Sequence, residues 1–210
     1  MIGSIVAALA IGYVSGSVPS GLWLGRAFRG VDVRTLGSGN LGATNVFRSL
    51  GRGLGVATLL LDMLKGALPV VLVTRSGFGA AFPGGAIAGG IAVGIAAILG
   101  HMFTFLAGFR GGKGVATTAG VVLALYPAAF AIAALVFVLT VAVSRYISLG
   151  SIFAAVAFAV VLGSGAQGGR SMLGTGFGAL VAVLVIARHH QNIRRLVRGE
   201  ERRFSWSRPR

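Results

Sequence analysis

The sequence predicts an all-α integral membrane protein: seven transmembrane helices, several of them short, followed by an interfacial amphipathic helix near the C-terminal end. Three observations predict it. Of 210 residues, 55% are hydrophobic and 11% charged, with a mean hydropathy of +0.88, whereas a soluble domain carries about 25% charged residues. The apolar residues run in stretches close to the roughly 20 that a helix needs to cross a bilayer. Finally, the 19 Lys and Arg, against four Asp and Glu, are confined to short segments between those stretches. A nucleic-acid binder spreads its basic residues over a soluble face, so no nucleic-acid partner is expected, and anionic lipid or a phosphorylated small molecule is. The absence of cysteine excludes disulfides, thiol catalysis and thiolate metal sites.

The first apolar stretch, Ile2 to Leu24, follows no basic segment and outruns a signal-peptide core, so it reads as a retained span. Gly55 to Val73 and Gly85 to Phe105 are the next two. The stretch from Val115 to Val143 is interrupted by Pro127 and decides the topology. One kinked helix there gives six spans, whereas two helices turning at Tyr126–Pro127 give seven. Leu149 to Leu162 and Met172 to Ala187 complete the set. With seven spans and the N-terminus outside, the cytoplasmic side holds Arg26, Arg29, Arg34, Arg48, Arg52, Arg110, Lys113, Arg145 and eight arginines from Arg188 to Arg210, leaving Arg75 and Arg170 outside. Six spans put ten cations outside and eight inside, against the positive-inside rule. Val115 to Tyr126 is twelve residues, about 18 Å of helix against a core of about 30 Å, so it needs tilt, local thinning or a re-entrant turn. Glycines within the spans allow helices to approach closely. After the last span, Arg188 to Gly199 sets Ile193, Leu196 and Val197 at helical spacing among arginines, an amphipathic helix for the cytoplasmic face. Residues 1–210 read as one transmembrane domain, with 188–210 as a basic tail.

Polar residues converge on one side. The loop between spans one and two, that between three and four, that between five and six, and the start of the tail all fall on the cytoplasmic face, and all supply hydroxyl, amide or cationic donors with glycines. A transporter places its polar breaks near the midplane in paired halves, whereas this pattern puts a site at one membrane face. In the first loop, Gly37-Ser38-Gly39-Asn40-Leu41-Gly42 matches G-x-G-x-x-G but lacks the βαβ setting of a dinucleotide site. It is either a plain turn or an anion cradle in which backbone N–H groups are joined by Ser38, Asn40, Thr44, Asn45 and Arg48. Gly111, Gly112, Lys113 and Gly114 open the next helix and combine a flexible run, a cation and a helix N-terminus. Lys113 is either a phosphate ligand or a membrane anchor, and Arg110 reads as an anchor. Asp62 and Lys65, three apart in an apolar helix, share a face and neutralise each other, as a structural pair or as a functional intramembrane one. His101 ends its span as cap or as site. His189 and Asn192 share a face of the tail and either reach the site or lie at the interface. Ser148 and Ser151 begin a helix, where hydroxyls cap or bind substrate, and Arg145 stands beside them. No metal-ligand cluster is present, and four acids are too few for a two-metal site. No cofactor is expected.

The blocks GSVPSG, GSGNLGATNVFR, DMLKG, GHMF…GFRGGKGVAT, SRYISLGS and RHHQNIRRLVRGEE resemble, in order and nearly end to end, the bacterial acyl-phosphate:glycerol-3-phosphate acyltransferases of the PlsY family. The resemblance implies a seven-span inner-membrane enzyme that moves a fatty acyl group from acyl phosphate to glycerol 3-phosphate, its active site and C-terminus cytoplasmic. It implies binding roles for Ser38, Arg48, Lys113, Ser148, Ser151, His189 and Asn192, with Lys113, His189 and Ser151 nearest the chemistry. Membrane lipid and a soluble enzyme producing acyl phosphate are the partners it allows. Thr104 stands where the family often has proline, and His190 where it often has arginine. A solute transporter or a lipid-binding scaffold are the rival classes that cationic loops and an amphipathic tail also suit.

Overall fold

The computed structural model describes residues 2–166 and 171–205, and all regular structure among them is helical. Arg170, Arg208 and Arg210, used in the charge count, lie outside the described residues. The first apolar stretch is one membrane-length segment, Ile2–Arg29, built of two helices, α1 (Ile2–Ser17) and α2 (Ser20–Arg29), where the sequence suggested a span to Leu24. Pro19 accounts for the break, since it has no N–H to donate and pushes the preceding residue out of helical conformation. The long first loop contains a short turn of 3-10 helix, Val33–Thr35, and a full helix, α3 (Ala43–Leu50). Then come α4 (Arg52–Arg75), α5 (Gly85–Met102) and α6 (Val115–Leu125). A new helix, α7 (Pro127–Ser144), begins with proline at its first position, where a missing N–H is no loss. The chain therefore breaks at Tyr126, as the seven-span topology requires. It ends with α8 (Ile147–Ser164), α9 (Met172–Arg188) and α10 (His190–Val197). The tail helix starts at His190 and not Arg188, because α9 runs through Arg188 and the chain bends by 60° at His189.

Among the described residues, five helical segments are long and apolar enough to cross a membrane, and the bent α9–α10 pair makes a sixth. At eleven residues, α6 reaches about 16 Å.

The residues fall into two compact units, Met1–Leu125 and Tyr126–Arg210. In the first, α1 packs on α5, and α4 packs on α5 and α6. Small residues set these distances: a Cβ on Gly16 would strike the Ala97 backbone, and one on Gly120 the Met63 backbone. A separate buried cluster of Leu22, Val33, Leu41, Val46 and Ala107 ties α2, the first loop and the segment after α5 together. In the second unit α8 packs on α7 and α9, and the rings of Tyr126, Phe158 and Phe177 meet with centroids 5.9 to 6.3 Å apart. Only Ala129 of α7 is buried, while Leu135, Val138, Leu139 and Val143 are exposed. An apolar helix with no polar face has hydrocarbon as its solvent.

Candidate active site

In the first unit two loops carry the predicted donors. Asp32 shapes the first: its carboxylate accepts from the Arg34 backbone N–H at 2.9 Å, from the Arg34 guanidinium at 2.6 Å and from Arg26 at 3.0 Å. The hydrogen bond from the Arg34 side chain leads the forces that hold this carboxyl well below the usual carboxylate range. Asn45, buried on the first turn of α3, then turns the loop. Its Oδ1 accepts from the Ser38 backbone N–H at 2.9 Å, and its Nδ2 donates to the carbonyls of Val33, Leu36 and Asn40 at 3.0 to 3.2 Å. Asn40 Oδ1 accepts from Gly42 N–H at 2.9 Å.

The sequence reading placed these two amides either in a plain turn or in an anion cradle. Asn45 is committed to the loop's own backbone at both ends of its amide, and Asn40 at its oxygen, because a buried loop must satisfy its main chain somewhere. What the scaffold presents is the exposed Ser38 and, on α3, the half-buried Thr44 and Arg48, four apart and on one helix face.

The second loop folds back on the end of α5. Gly111 N–H donates to the Met102 carbonyl at 3.2 Å and Gly112 N–H to the His101 carbonyl at 3.1 Å. Gly114, at φ +84°, hands the chain to α6, and its carbonyl accepts from Thr118 N–H at 2.8 Å. Lys113 is half-buried, with Gly114 between it and that helix start. Both loops rest on one narrow crevice, whose lining includes Ser20, Leu41, Asp62, Lys65, His101 and Gly112. Asp62 and Lys65 are an ion pair of 2.7 Å, and Lys65 Nζ also donates to the Val18 carbonyl at 2.6 Å. Thr104, a departure from the resembled family's proline, donates its hydroxyl to the Ser17 carbonyl, a bond proline cannot make.

In the second unit a carboxylate that sequence reasoning missed organises the rest. Glu201 is buried, and its Oε1 accepts from Asn192 Nδ2 at 2.6 Å and Ser148 Oγ at 2.8 Å, while Oε2 accepts from Arg195 Nε at 2.7 Å. Burial alone would raise its pKa; the hydrogen bonds from Asn192, Arg195 and Ser148 outweigh burial and leave it lowered. Asn192 and Ser148 are brought together, with this acid between them. Ser151 donates to the Ile147 carbonyl at 2.9 Å, the intrahelical bond of a helix serine. It was expected nearest the chemistry, and in this arrangement its proton is turned away from any ligand; its oxygen lone pairs remain to accept.

His189 is buried at the α9–α10 bend, with Nδ1 2.7 Å from the Val185 carbonyl. A nitrogen facing a carbonyl carries the proton, so Nε2 is the basic one. Arg145 is exposed at φ +63°, and its carbonyl accepts from Phe204 N–H at 2.6 Å. Its backbone thus closes α7 and anchors the tail. The signal for Glu201 and Asp32 was rarity: with four acids among 210 residues, each is placed for a reason.

A protein-family model described as glycerol-3-phosphate acyltransferase matches residues 6–199. The chain belongs to the glycerol-3-phosphate acyltransferase family. Curated relatives of that name are 50% identical over 93% of this chain and 95% of theirs in Geobacter sulfurreducens, and 48% identical over 94% and 98% in Myxococcus xanthus. Among solved structures, crystal structures of PlsY (YgiH), an integral membrane glycerol 3-phosphate acyltransferase, in its glycerol 3-phosphate and lysophosphatidic acid forms, align with TM-scores of 0.86 and 0.84. Each is 36% identical and covers 96% of both chains. The chain is therefore a membrane acyltransferase, and the transporter and scaffold readings fall.

Proposed function

We propose that this acyltransferase moves a fatty acyl group from acyl phosphate to glycerol 3-phosphate, releasing inorganic phosphate and 1-acyl-glycerol 3-phosphate, lysophosphatidic acid. This is the first acylation of bacterial phospholipid synthesis. The observation that carries the donor assignment is the absence of an ordinary base. No aspartate follows His101, His189 or His190 four or five residues on, where Phe105 and Leu106, Ile193 and Arg194, and Arg194 and Arg195 stand, so the H-x-x-x-x-D of a His–Asp base is missing; Asp62, 3.7 Å from the His101 ring, is held by Lys65 at 2.7 Å. Acyl phosphate is a mixed anhydride with a good leaving group, and catalysis then reduces to holding two phosphates and aligning a hydroxyl with the carbonyl. Ser38, Thr44, Arg48 and the Lys113 glycine loop supply donors for phosphate, and Ser148, His189 and Asn192 keep the binding roles that the family resemblance implies. The glycerol oxygen forms the new ester bond, the carbonyl carbon releases the phosphate oxygen, and the hydroxyl proton passes to a substrate phosphate oxygen. Purified protein incubated with palmitoyl phosphate and labelled glycerol 3-phosphate yields labelled lysophosphatidic acid; no product with acyl phosphate, and product with acyl-CoA instead, refutes the donor.

His189 tests the proton's destination. Loss of one hydrogen bond in His189→Ala costs about tenfold, whereas loss of a general base costs about 10²- to 10⁴-fold. A substrate phosphate itself titrates at about pH 6, so the acidic limb of the rate profile is expected to persist in the variant. A dead variant with intact substrate binding, or a vanished limb, makes His189 the base.

We further read the fold as seven spans in the inner membrane, α6 being the short one, with the N-terminus outside and α10 lying on the cytoplasmic surface as part of one catalytic domain. The split of sixteen cations to two across the membrane supports this orientation. A C-terminal fusion is expected to be active as a cytoplasmic reporter and silent as a periplasmic one; the opposite pair of results inverts the topology.

A further inference from the structure

The reaction as assigned leaves one buried charged cluster unused. Asp62 and Lys65 on α4 and His101 in the last turn of α5 are each no more than 7% exposed, and ionisable groups inside a membrane protein are costly enough to be kept only for a task. Lys65 has one: it secures Asp62 and the Val18 carbonyl freed at the Pro19 break. The imidazole has another. Its Nδ1 lies 3.7 Å from Asp62 Oδ1, and its Nε2 edge faces Gly112 so closely that a Cβ there would collide with the ring. The Gly112 N–H also donates to the carbonyl of the same histidine at 3.1 Å. Side chain and main chain of one residue thus hold the glycine directly before Lys113.

We propose that His101 is a positioning residue for the glycine loop: its ring, lying beside Asp62, fills the place of a side chain at position 112 and so sets the point from which Lys113 meets a substrate phosphate. The inference rests on Lys113 being the phosphate-holding cation of the proposed reaction. An inert filler would need only an apolar ring; here the ring carries a nitrogen toward a buried carboxylate and seats against a residue with no side chain.

The test uses the full-length enzyme in detergent, as wild type, His101→Asn, Gly112→Ala and the double variant. Asparagine keeps a polar side chain on the Asp62 side and vacates the space beside Gly112. Each protein is measured for its melting midpoint, for the upward shift of that midpoint by glycerol 3-phosphate, and for kcat and both KM values with palmitoyl phosphate. The expected result for His101→Asn is a loss of about tenfold or more in kcat/KM and a smaller upward shift of the midpoint by glycerol 3-phosphate, since small displacements of a positioned group cost up to about 10²-fold, with the ligand-free midpoint little changed. Gly112→Ala is expected to be worse alone than in the double variant, where the methyl enters the space the ring left. Strictly additive effects, or a His101→Asn loss confined to the folded fraction, overturn the proposal. If His101→Asn does not fold, His101→Ala with and without Gly112→Ala makes the same comparison. A wild type that is stabilised by glycerol 3-phosphate but makes no product from palmitoyl phosphate refutes the donor assignment alone. Uncoupled midpoint shifts across the four proteins refute the positioning role alone.

Discussion

Lys113→Ala is expected to lose nearly all turnover while remaining folded. The lysine is half-buried and one residue removed from the start of α6, where, on the proposed reading, its ammonium and the helix N-terminus act on the same phosphate. Removing one preorganised group that stabilises transition-state charge costs about 10²- to 10³-fold in kcat. The fold does not depend on it, because the loop is held by the Gly111 and Gly112 bonds to the end of α5. Lys113→Arg is expected to rescue poorly, since a planar fork does not reproduce a compact point charge on a loop this tightly seated. The measurement is kcat and KM for each variant beside its melting midpoint. Near-normal turnover in Lys113→Ala would return the residue to the role of membrane anchor.

The helices were legible because membrane solvent enforces one rule, a run of apolar residues between charges, and the break at Tyr126 followed from Pro127 together with the charge count. The break at Val18–Pro19 carried the same kind of signal, yet hydropathy continued across it and hid it. Within the site, residue type was legible and commitment was not. Asn45, Ser148 and Asn192 all read as donors, and donors they are, but Asn45 spends its amide on the loop backbone and the other two point at Glu201. No periodicity announces a pairing between residues 53 positions apart, such as Ser148 and Glu201. The Asp62–Lys65 pair was visible as a three-residue spacing on one helix face, whereas His101 joins it only through the packing of α4 on α5.

Glu201 is expected to be the residue of the second unit least tolerant of change. Its carboxylate gathers a helix start through Ser148 and the tail through Asn192 and Arg195, so Glu201→Ala strands two buried donors and a half-buried guanidinium. Each orphaned donor costs about 1 to 3 kcal/mol, and loss of the pair with Arg195, whose side chain is 38% exposed, adds about 1 kcal/mol or less. These costs overlap, and the expected result is a melting midpoint lower by many degrees, with activity falling as Asn192 and its neighbour His189 lose their frame. Glu201→Gln keeps the volume but turns an N–H toward Arg195 and gives up the charge, so it is expected to fall between alanine and wild type. The sign of the pH effect follows from the lowered pKa: the charged form is favoured by folding, so its contribution is complete above the ordinary glutamate value of 4.5 and is lost as pH falls through the lower folded value. The gap in midpoint between wild type and Glu201→Gln should therefore be widest near neutrality and close on acidification below about pH 4.5. A gap that stays constant from pH 7 to about pH 3 would mean that the carboxylate's charge contributes nothing, and that Glu201 holds the tail by shape alone.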